Sequence, residues 1–199
     1  MYKTAGGGDI YVSYLSGQDW SRPKPVEGDV NKKDSWEGSC SLSADGKVLY
    51  FASDREGGIG GRDIYKADLQ GDGTWGNIQN LGKEVNTIYN DDAPFIHPDN
   101  QILYFSSEGH TSVGGYDVFS STKNEYGAFQ APVNLGYPIN TIDDNRYFVL
   151  AANGKTGYYS ADGKSSAGGQ DIYKISTGKI GKPVMALLKG IVYFDDIPT

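Results

Sequence analysis

The tightest constraint on this chain is a repeat. Asp9-Ile10-Tyr11, Asp63-Ile64-Tyr65, Asp117-Val118-Phe119 and Asp171-Ile172-Tyr173 follow one another at intervals of 54 residues. A glycine pair precedes each triplet, with one residue between: Gly6-Gly7, Gly60-Gly61, Gly114-Gly115 and Gly168-Gly169. The apolar run Leu49-Tyr50-Phe51 returns as Leu103-Tyr104-Phe105 and, weakened, as Gly157-Tyr158-Tyr159. Asp45-Gly46, Asp99-Asn100 and Asn153-Gly154 keep the spacing, as do Leu81-Gly82 and Leu135-Gly136. Trp20, Trp75 and Phe129 recur at 55 and 54, and so do Asn31, Asn86 and Asn140. Units of fixed period bury their apolar faces against their neighbours, so a stack or ring of units is expected.

Each unit reads as strands. Asp-Gly suits a tight turn that needs positive φ, so Leu42-Ser43, Asp45-Gly46 and Val48 to Ser53 form a hairpin. Asn100 and Asn153 fit the same turn because Asn tolerates the left-handed region. Further strands are predicted from Asp63 to Ala67 and from Trp75 through Leu81. No window carries apolar residues at i, i+3, i+4 and i+7 over three turns, so no helix is predicted. Four strands per unit define the blade of an all-β propeller, with antiparallel blades of 54 residues. About 14 strands make three and a half blades, the first beginning after its hairpin. Closure needs about four complete blades or more, so an incomplete ring is expected, with upstream blades missing.

The 28 glycines are about double the roughly 14 that average usage gives, and the repeat explains the excess. Gly-Gly lets the chain reverse into the third strand, and the following Asp accepts backbone N–H bonds in that turn. Asp9, Asp63, Asp117 and Asp171 are therefore read as structural rather than catalytic, since active sites are seldom repeated in every unit. Asp45 and Asp99 serve the hairpin turns. Trp20, Trp75 and Phe129 are assigned to packing between blades.

Composition excludes several classes. Hydrophobic residues at 38% and aromatics at 13% supply a core, which argues against disorder. No run of about 18 apolar residues exists to span a membrane as a helix. A net charge of -7 argues against nucleic acid, whose binding needs clustered Lys and Arg. One cysteine makes no internal disulfide, and two histidines beside it make no transition-metal cluster. No cofactor is expected. The acidic pairs Asp91-Asp92 and Asp143-Asp144, like Gln70-Gly71-Asp72-Gly73, lack the spacing of a Ca²⁺ loop. Met1 to Gly8 has no apolar signal region.

Ser43-Ala44-Asp45-Gly46-Lys47-Val48-Leu49-Tyr50-Phe51-Ala52-Ser53 resembles the Ser-Pro-Asp-Gly-Lys motif of TolB-type, WD40-like propeller repeats, and Pro98-Asp99 supplies their Pro-Asp pair. Joined to Gly-Gly-x-Asp-Ile-Tyr, Trp, Leu-Gly and Asn-Thr, the pattern is similar to the propeller of OmpA-family envelope proteins of Bacteroidetes-type bacteria. It covers about residues 6 to 176. Asn86-Thr87 and Asn140-Thr141 match its last element and Asn31-Lys32 departs from it. Ala151-Ala152-Asn153 departs most, so an irregular blade is expected there. The resemblance implies a periplasmic, outer-membrane-associated protein with envelope-protein partners, in some members part of a type IX secretion or gliding apparatus. Peptidoglycan would be bound only by an OmpA-like domain that these residues do not contain. Residues 1–180 are assigned to blades. Residues 181–199 are assigned to a linker and the first strand of a carboxypeptidase-regulatory-like domain, which Leu187 to Tyr193 weakly resembles.

In a propeller, loops from second to third strand share a face with loops from fourth strand to the next blade. Here these loops are long: Asp54 to Arg62, Glu108 to Tyr116 and Asp162 to Gln170, then Lys32 to Glu37, Ile88 to Asp92 and Ile142 to Arg146. Residues outside the repeat carry most weight: Trp36, Arg55, Arg62, Tyr89, His110, Tyr116 and Arg146. They read either as solvated loop decoration or as a partner surface, since aromatics and Arg anchor interfaces. A non-catalytic interaction scaffold is the leading function. A glycan-binding module using Trp36 and Tyr89, or a glycoside hydrolase using Glu37, Asp91, Asp92, Asp143 or Asp144, is the alternative. No Ser-His-Asp context is visible. His97 reads as a turn-flanking residue, and Cys40 as a small core residue on the innermost strand.

Overall fold

The computed structural model describes residues 7–162 and 168–176. Blade 1 holds β1 (Tyr11–Val12), β2 (Leu15–Ser16), β3 (Asp19–Trp20) and β4 (Lys24–Pro25), with β1 paired to β4 and β2 to β3. Blade 2 is β5 (Glu37–Leu42), β6 (Val48–Ser53), β7 (Asp63–Leu69) and β8 (Trp75–Asn80), hydrogen-bonded in chain order. Blade 3 repeats that order with β9 (Asp91–Ile96), β10 (Ile102–Ser107), β11 (Asp117–Thr122) and β12 (Val133–Asn134). Blade 4 carries β13 (Asn145–Leu150), β14 (Thr156–Asp162) and β15 (Gln170–Ser176). Every ladder between these strands is antiparallel.

The all-β propeller expectation is therefore met, as an arc of blades. The described residues form 15 strands, against about 14 expected: both outer strands of blade 1 are broken in two, at Ser13-Tyr14 and between Trp20 and Lys24, while the expected last strand falls outside the described residues. Leu15 still faces Trp20 there as Leu69 faces Trp75 in blade 2. The final strand expected after Ile175, apart from β15 itself, and the segment 181–199 lie outside the described residues.

The hairpin turns share one geometry. Gly46, Asn100 and Gly154 have φ of 70, 57 and 65°, and each donates its N–H three residues back, to the carbonyls of Ser43, His97 and Ala151. Asn100 thus takes the left-handed position as expected, whereas in blade 4 Gly154 takes it and Asn153 does not. The Ala151-Ala152-Asn153 hairpin is regular at the turn, because the turn needs only a permissive second residue.

Cores lie between blades. Ile10, Val26 and Val30 of blade 1 meet Leu49, Phe51, Tyr65 and Ala67 of blade 2. Tyr50, Ile64 and Val85 meet Ile96, Leu103, Phe105 and Phe119. Tyr104, Val118 and Ile139 meet Phe148, Leu150, Tyr159 and Ala161. Trp75 and Phe129 pack onto the first and second of these cores. Trp20 is exposed instead. Among the described residues, no preceding blade presents a face to it.

The recurring Asn acts as a substitute strand. Asn86 accepts from the Ile64 N–H at 2.7 Å and donates to the Ile64 carbonyl at 2.9 Å. Asn31 does the same with Ile10, and Asn140 with Val118. One side chain thus closes the ladder edge where the fourth strand ends.

The innermost strands share a bulge that the sequence reading lacks. Ser39, Ala93 and Tyr147, again 54 apart, have φ of 43, 50 and 56°, and each strand shifts register there. The bulge re-aims the next side chain and corrects the reading of Cys40, which is exposed rather than core. Cys40 borders an axial cavity of about 130 Å³ with Pro94 and Phe148, and partial burial pushes its thiol upward.

Candidate functional site

The loop face is assembled by two sets of carboxyl and amide groups. Asp63 accepts from the Ile59 and Gly60 N–H groups and from Asn80 Nδ2. Asp117 accepts from the Val113 N–H and Asn134 Nδ2. The loops so folded bring glycine backbone against the next loop. A Cβ on Gly60 would lie 2.1 Å from the Tyr89 carbonyl, and one on Gly114 2.4 Å from that of Ile142. Only glycine fits this approach.

Glu37, Asp91 and Asn145 stand at one repeat position. Glu37 accepts from the Lys32 N–H and from Ser35 and Ser53. Asp91 accepts from the N–H and hydroxyl of Thr87, and Asn145 from those of Thr141. All three are buried and hold the loop that enters the next blade. Burial pushes the Asp91 carboxyl up, against its bonds from Ser107 and Thr87.

A ladder of charge and aromatic rings crosses the face. The Arg62 guanidinium lies 4.2 Å from the Trp36 ring centroid and 2.7 Å from Asp92 Oδ2. One junction on, the parts exchange places: Tyr116 occupies the position of Arg62, and Arg146 that of Asp92. The Arg146 guanidinium sits 3.5 Å over the Tyr116 ring and 3.1 Å from Asp144 Oδ2. Asp144 also accepts from the Tyr116 N–H at 3.0 Å. Burial, then the Glu108 charge, pushes the Tyr116 phenol up to about 12, so it stays neutral. Each stacked cation contributes about 0.5–2 kcal/mol to holding these loops in place.

The structure thus brings Trp36, Arg62, Tyr116 and Arg146 together and leaves Tyr89 exposed beside them. It places Arg55 and His110 elsewhere, as pegs within blades. Arg55 is buried against Phe51 and Tyr65, donating to the Val30 carbonyl and lying 3.3 Å from Glu37 Oε1. His110 packs against Phe105 and Phe119 with Nε2 2.9 Å from the Val85 carbonyl. Both anchor a blade to the segment that follows the fourth strand before it; Arg55 is buried, whereas His110 stays exposed.

Four of the five carboxylates proposed for hydrolysis are engaged in the same way. Glu37 and Asp91 hold turns, while Asp92 and Asp144 pair with arginines. Asp143 is exposed and its N–H donates to Thr141. His97 is buried beside Asp99, Nδ1 to Oδ2 3.0 Å, as a turn residue would be. Among the described residues, no group of three or more His, Cys, Asp or Glu is arranged to hold a metal ion, and no helix is long and apolar enough to cross a membrane.

Four further residues belong to this face. Ile88 and Ile142 are 74% and 79% exposed, and Ile59 and Val113 are exposed beside them. Both pairs are 54 residues apart. The missed signal was an aliphatic residue recurring inside glycine-rich polar loops.

Antiparallel blades packed face to face, with loops gathered on one face, define a β-propeller. The solved TolB from Acinetobacter baumannii superposes with a TM-score of 0.51 at 17% identity, covering 84% of this chain and 35% of that one. A putative TolB from Agrobacterium tumefaciens gives a TM-score of 0.55 at 13% identity, over 87% of this chain and 55% of that one. The chain therefore spans only part of the length of either protein, and at these identities the likeness is one of fold. No protein-family model matches the chain, and no curated protein does.

Proposed function

We propose that these blades belong to a non-catalytic, protein-binding scaffold of the cell envelope that works through its loop face. The observation that carries this is the pairing of a rigid Arg–aromatic ladder with a rim of exposed aliphatics repeated at 54 residues. The scaffold does not need Ile88 or Ile142 outside, and exposed apolar groups beside Arg and aromatics mark interaction surfaces. The engagement of Glu37, Asp91, Asp92 and Asp144 speaks against hydrolysis at those four carboxylates. In this reading the protein is periplasmic and outer-membrane-associated, and its partner belongs to a secretion or gliding assembly. An OmpA-like domain beyond these residues supplies attachment to peptidoglycan. The likeness of the repeat motifs supports this setting.

The test is crosslinking and pull-down from envelope fractions with the intact, folded multi-domain protein, beside an Ile88→Ser/Ile142→Ser variant. Capture of a protein partner that the variant loses is the expected result. Absence of any partner, or equal capture by the variant, would overturn the reading. Binding on a glycan array that depends on Tyr89 or Trp36 would replace it with the glycan module.

A further inference from the structure

The junction of blades 2 and 3, each a complete four-stranded sheet, departs from the repeat at two positions. Lys66 stands where blade 1 has Val12 and blade 3 has Ser120, and Lys123 stands where blade 2 has Leu69. At the junction of blades 1 and 2, Val12 packs with Trp75 onto the shared core. The scaffold therefore demands a cation at neither place, yet this one junction carries two.

Both lysines reach a single cavity of about 340 Å³, lined also by Val48, Tyr50, Leu81, Glu84 and Phe129. One wall is a rung across blade 2, in which Lys66 pairs with Tyr50 on one side and Gln79 on the other. The other wall is the outer hairpin of blade 3, where Lys123 faces Phe129. Val48, Leu81 and Phe129 are partly buried against the core beneath, so the cavity has an apolar floor.

Lys123 is half-buried, its ammonium 5.8 Å from the Tyr50 ring centroid and 5.3 Å from that of Phe129. Two of its three N–H groups go to neutral oxygens, the Tyr50 hydroxyl at 3.1 Å and the Asn100 carbonyl at 3.0 Å. One donor is left over. Burial pulls the Lys123 ammonium down from its usual value, and the Asp99 and Asp45 charges oppose it. Among the described residues, no carboxylate forms an ion pair with Lys66 or Lys123. A half-buried cation in that position gains from an anion set beside it.

We propose that this groove binds a monoanionic carboxylate carried on an apolar body, with the head between Lys66 and Lys123 and the body over Leu81 and Phe129. A cavity of this size, with apolar walls and a few charged groups, has the usual form of a small-ligand site. The exposed Glu84 at the same cavity offsets one of the two lysines, so the surplus charge matches one negative charge and not the two of a phosphate monoester. The lining residues belong to none of the loops of the loop face, so the proposal stands apart from the scaffold reading.

The experiment follows amide chemical shifts of the isotope-labelled full chain titrated with phenylacetate. Saturable shifts gathered at Leu81, Gly127 and Ala128 are expected, with phenylacetamide and phenyl phosphate each binding about 10-fold more weakly or worse. Lys66→Val and Lys123→Leu install the residues of the neighbouring junction. Each is expected to weaken phenylacetate about 10-fold with stability to urea unchanged or raised, which separates lost binding from unfolding. Lys155→Met, exposed on blade 4, leaves binding unchanged. A short peptide ending in phenylalanine with a free carboxylate distinguishes the two sources of this chemistry: tighter binding than phenylacetate makes the ligand a chain terminus, weaker binding a free acid. Absence of saturable shifts, binding indifferent to both lysine substitutions, or equal binding of phenylacetamide would overturn the proposal. Tighter binding of phenyl phosphate would overturn the choice of a monoanion.

Discussion

Replacing Asn86 by alanine tests the closing amide where it is most buried. Its Oδ1 accepts from the Ile64 N–H at 2.7 Å, and its Nδ2 donates to the Ile64 carbonyl and Asn80 Oδ1, both at 2.9 Å. The side chain is fully buried, as is Ile64, so no water takes the place of the lost amide. Two stranded backbone groups cost about 1–3 kcal/mol each, giving roughly 2–5 kcal/mol after partial relaxation. Asn31→Ala removes the same pair with Ile10 at a half-buried position, where solvent compensates, and about 1 kcal/mol is expected. Asn86→Asp keeps the acceptor but sets a carboxylate oxygen against the Ile64 carbonyl, so it also destabilises. Urea denaturation gives the totals, and amide exchange at Ile64 locates the loss. Asn86→Ala within about 0.5 kcal/mol of the parent, with Ile64 still protected, would refute the strand-substitute reasoning.

Other perturbations have equally definite signs. Gly28 has φ of 106°, and a Cβ there would lie 2.1 Å from the Trp75 carbonyl, so Gly28→Ala should cost about 2–3 kcal/mol in urea denaturation. Arg55→Ala leaves Glu37 buried without its cation and should cost about 3–5 kcal/mol, lowering thermal stability whether or not a partner is present. Asp91 is buried with its carboxyl pushed up, so the folded chain holds that proton more tightly than the unfolded chain. Its contribution to stability falls as pH rises from the ordinary carboxylate range through the raised value. Asp91→Asn, the residue already used at 145, removes that loss: denaturation at pH 7 should show a gain over the parent that shrinks in acid.

The architecture was legible because turns and glycines answer to local chemistry. Asp45-Gly46 demands a tight hairpin wherever it sits, and the 54-residue period told which strand would follow which. The bulges at Ser39, Ala93 and Tyr147 were not legible, since three dissimilar side chains adopt one backbone shape under pressure from packing at the axis. Arg55 and His110 looked like surface decoration because they stand one residue apart in the repeat and share no chemistry. Only the rings beneath them, Phe51 with Tyr65 and Phe105 with Phe119, make them equivalent. The ladder was half legible: Trp36, Arg62, Tyr116 and Arg146 stood out individually. That the cation changes sides between junctions depends on pairing across blades, which no local pattern records.

The central claim is that partners meet the face bearing the ladder and the aliphatic rim. A photoreactive residue placed at 142, on that face, and another at 126, on the opposite face, would test it in the intact protein within its native envelope. The account expects a specific protein adduct from 142, lost when Ile88 is changed to Ser, and none from 126. An adduct from 126 alone, or one from 142 that survives the Ile88 change, would contradict it.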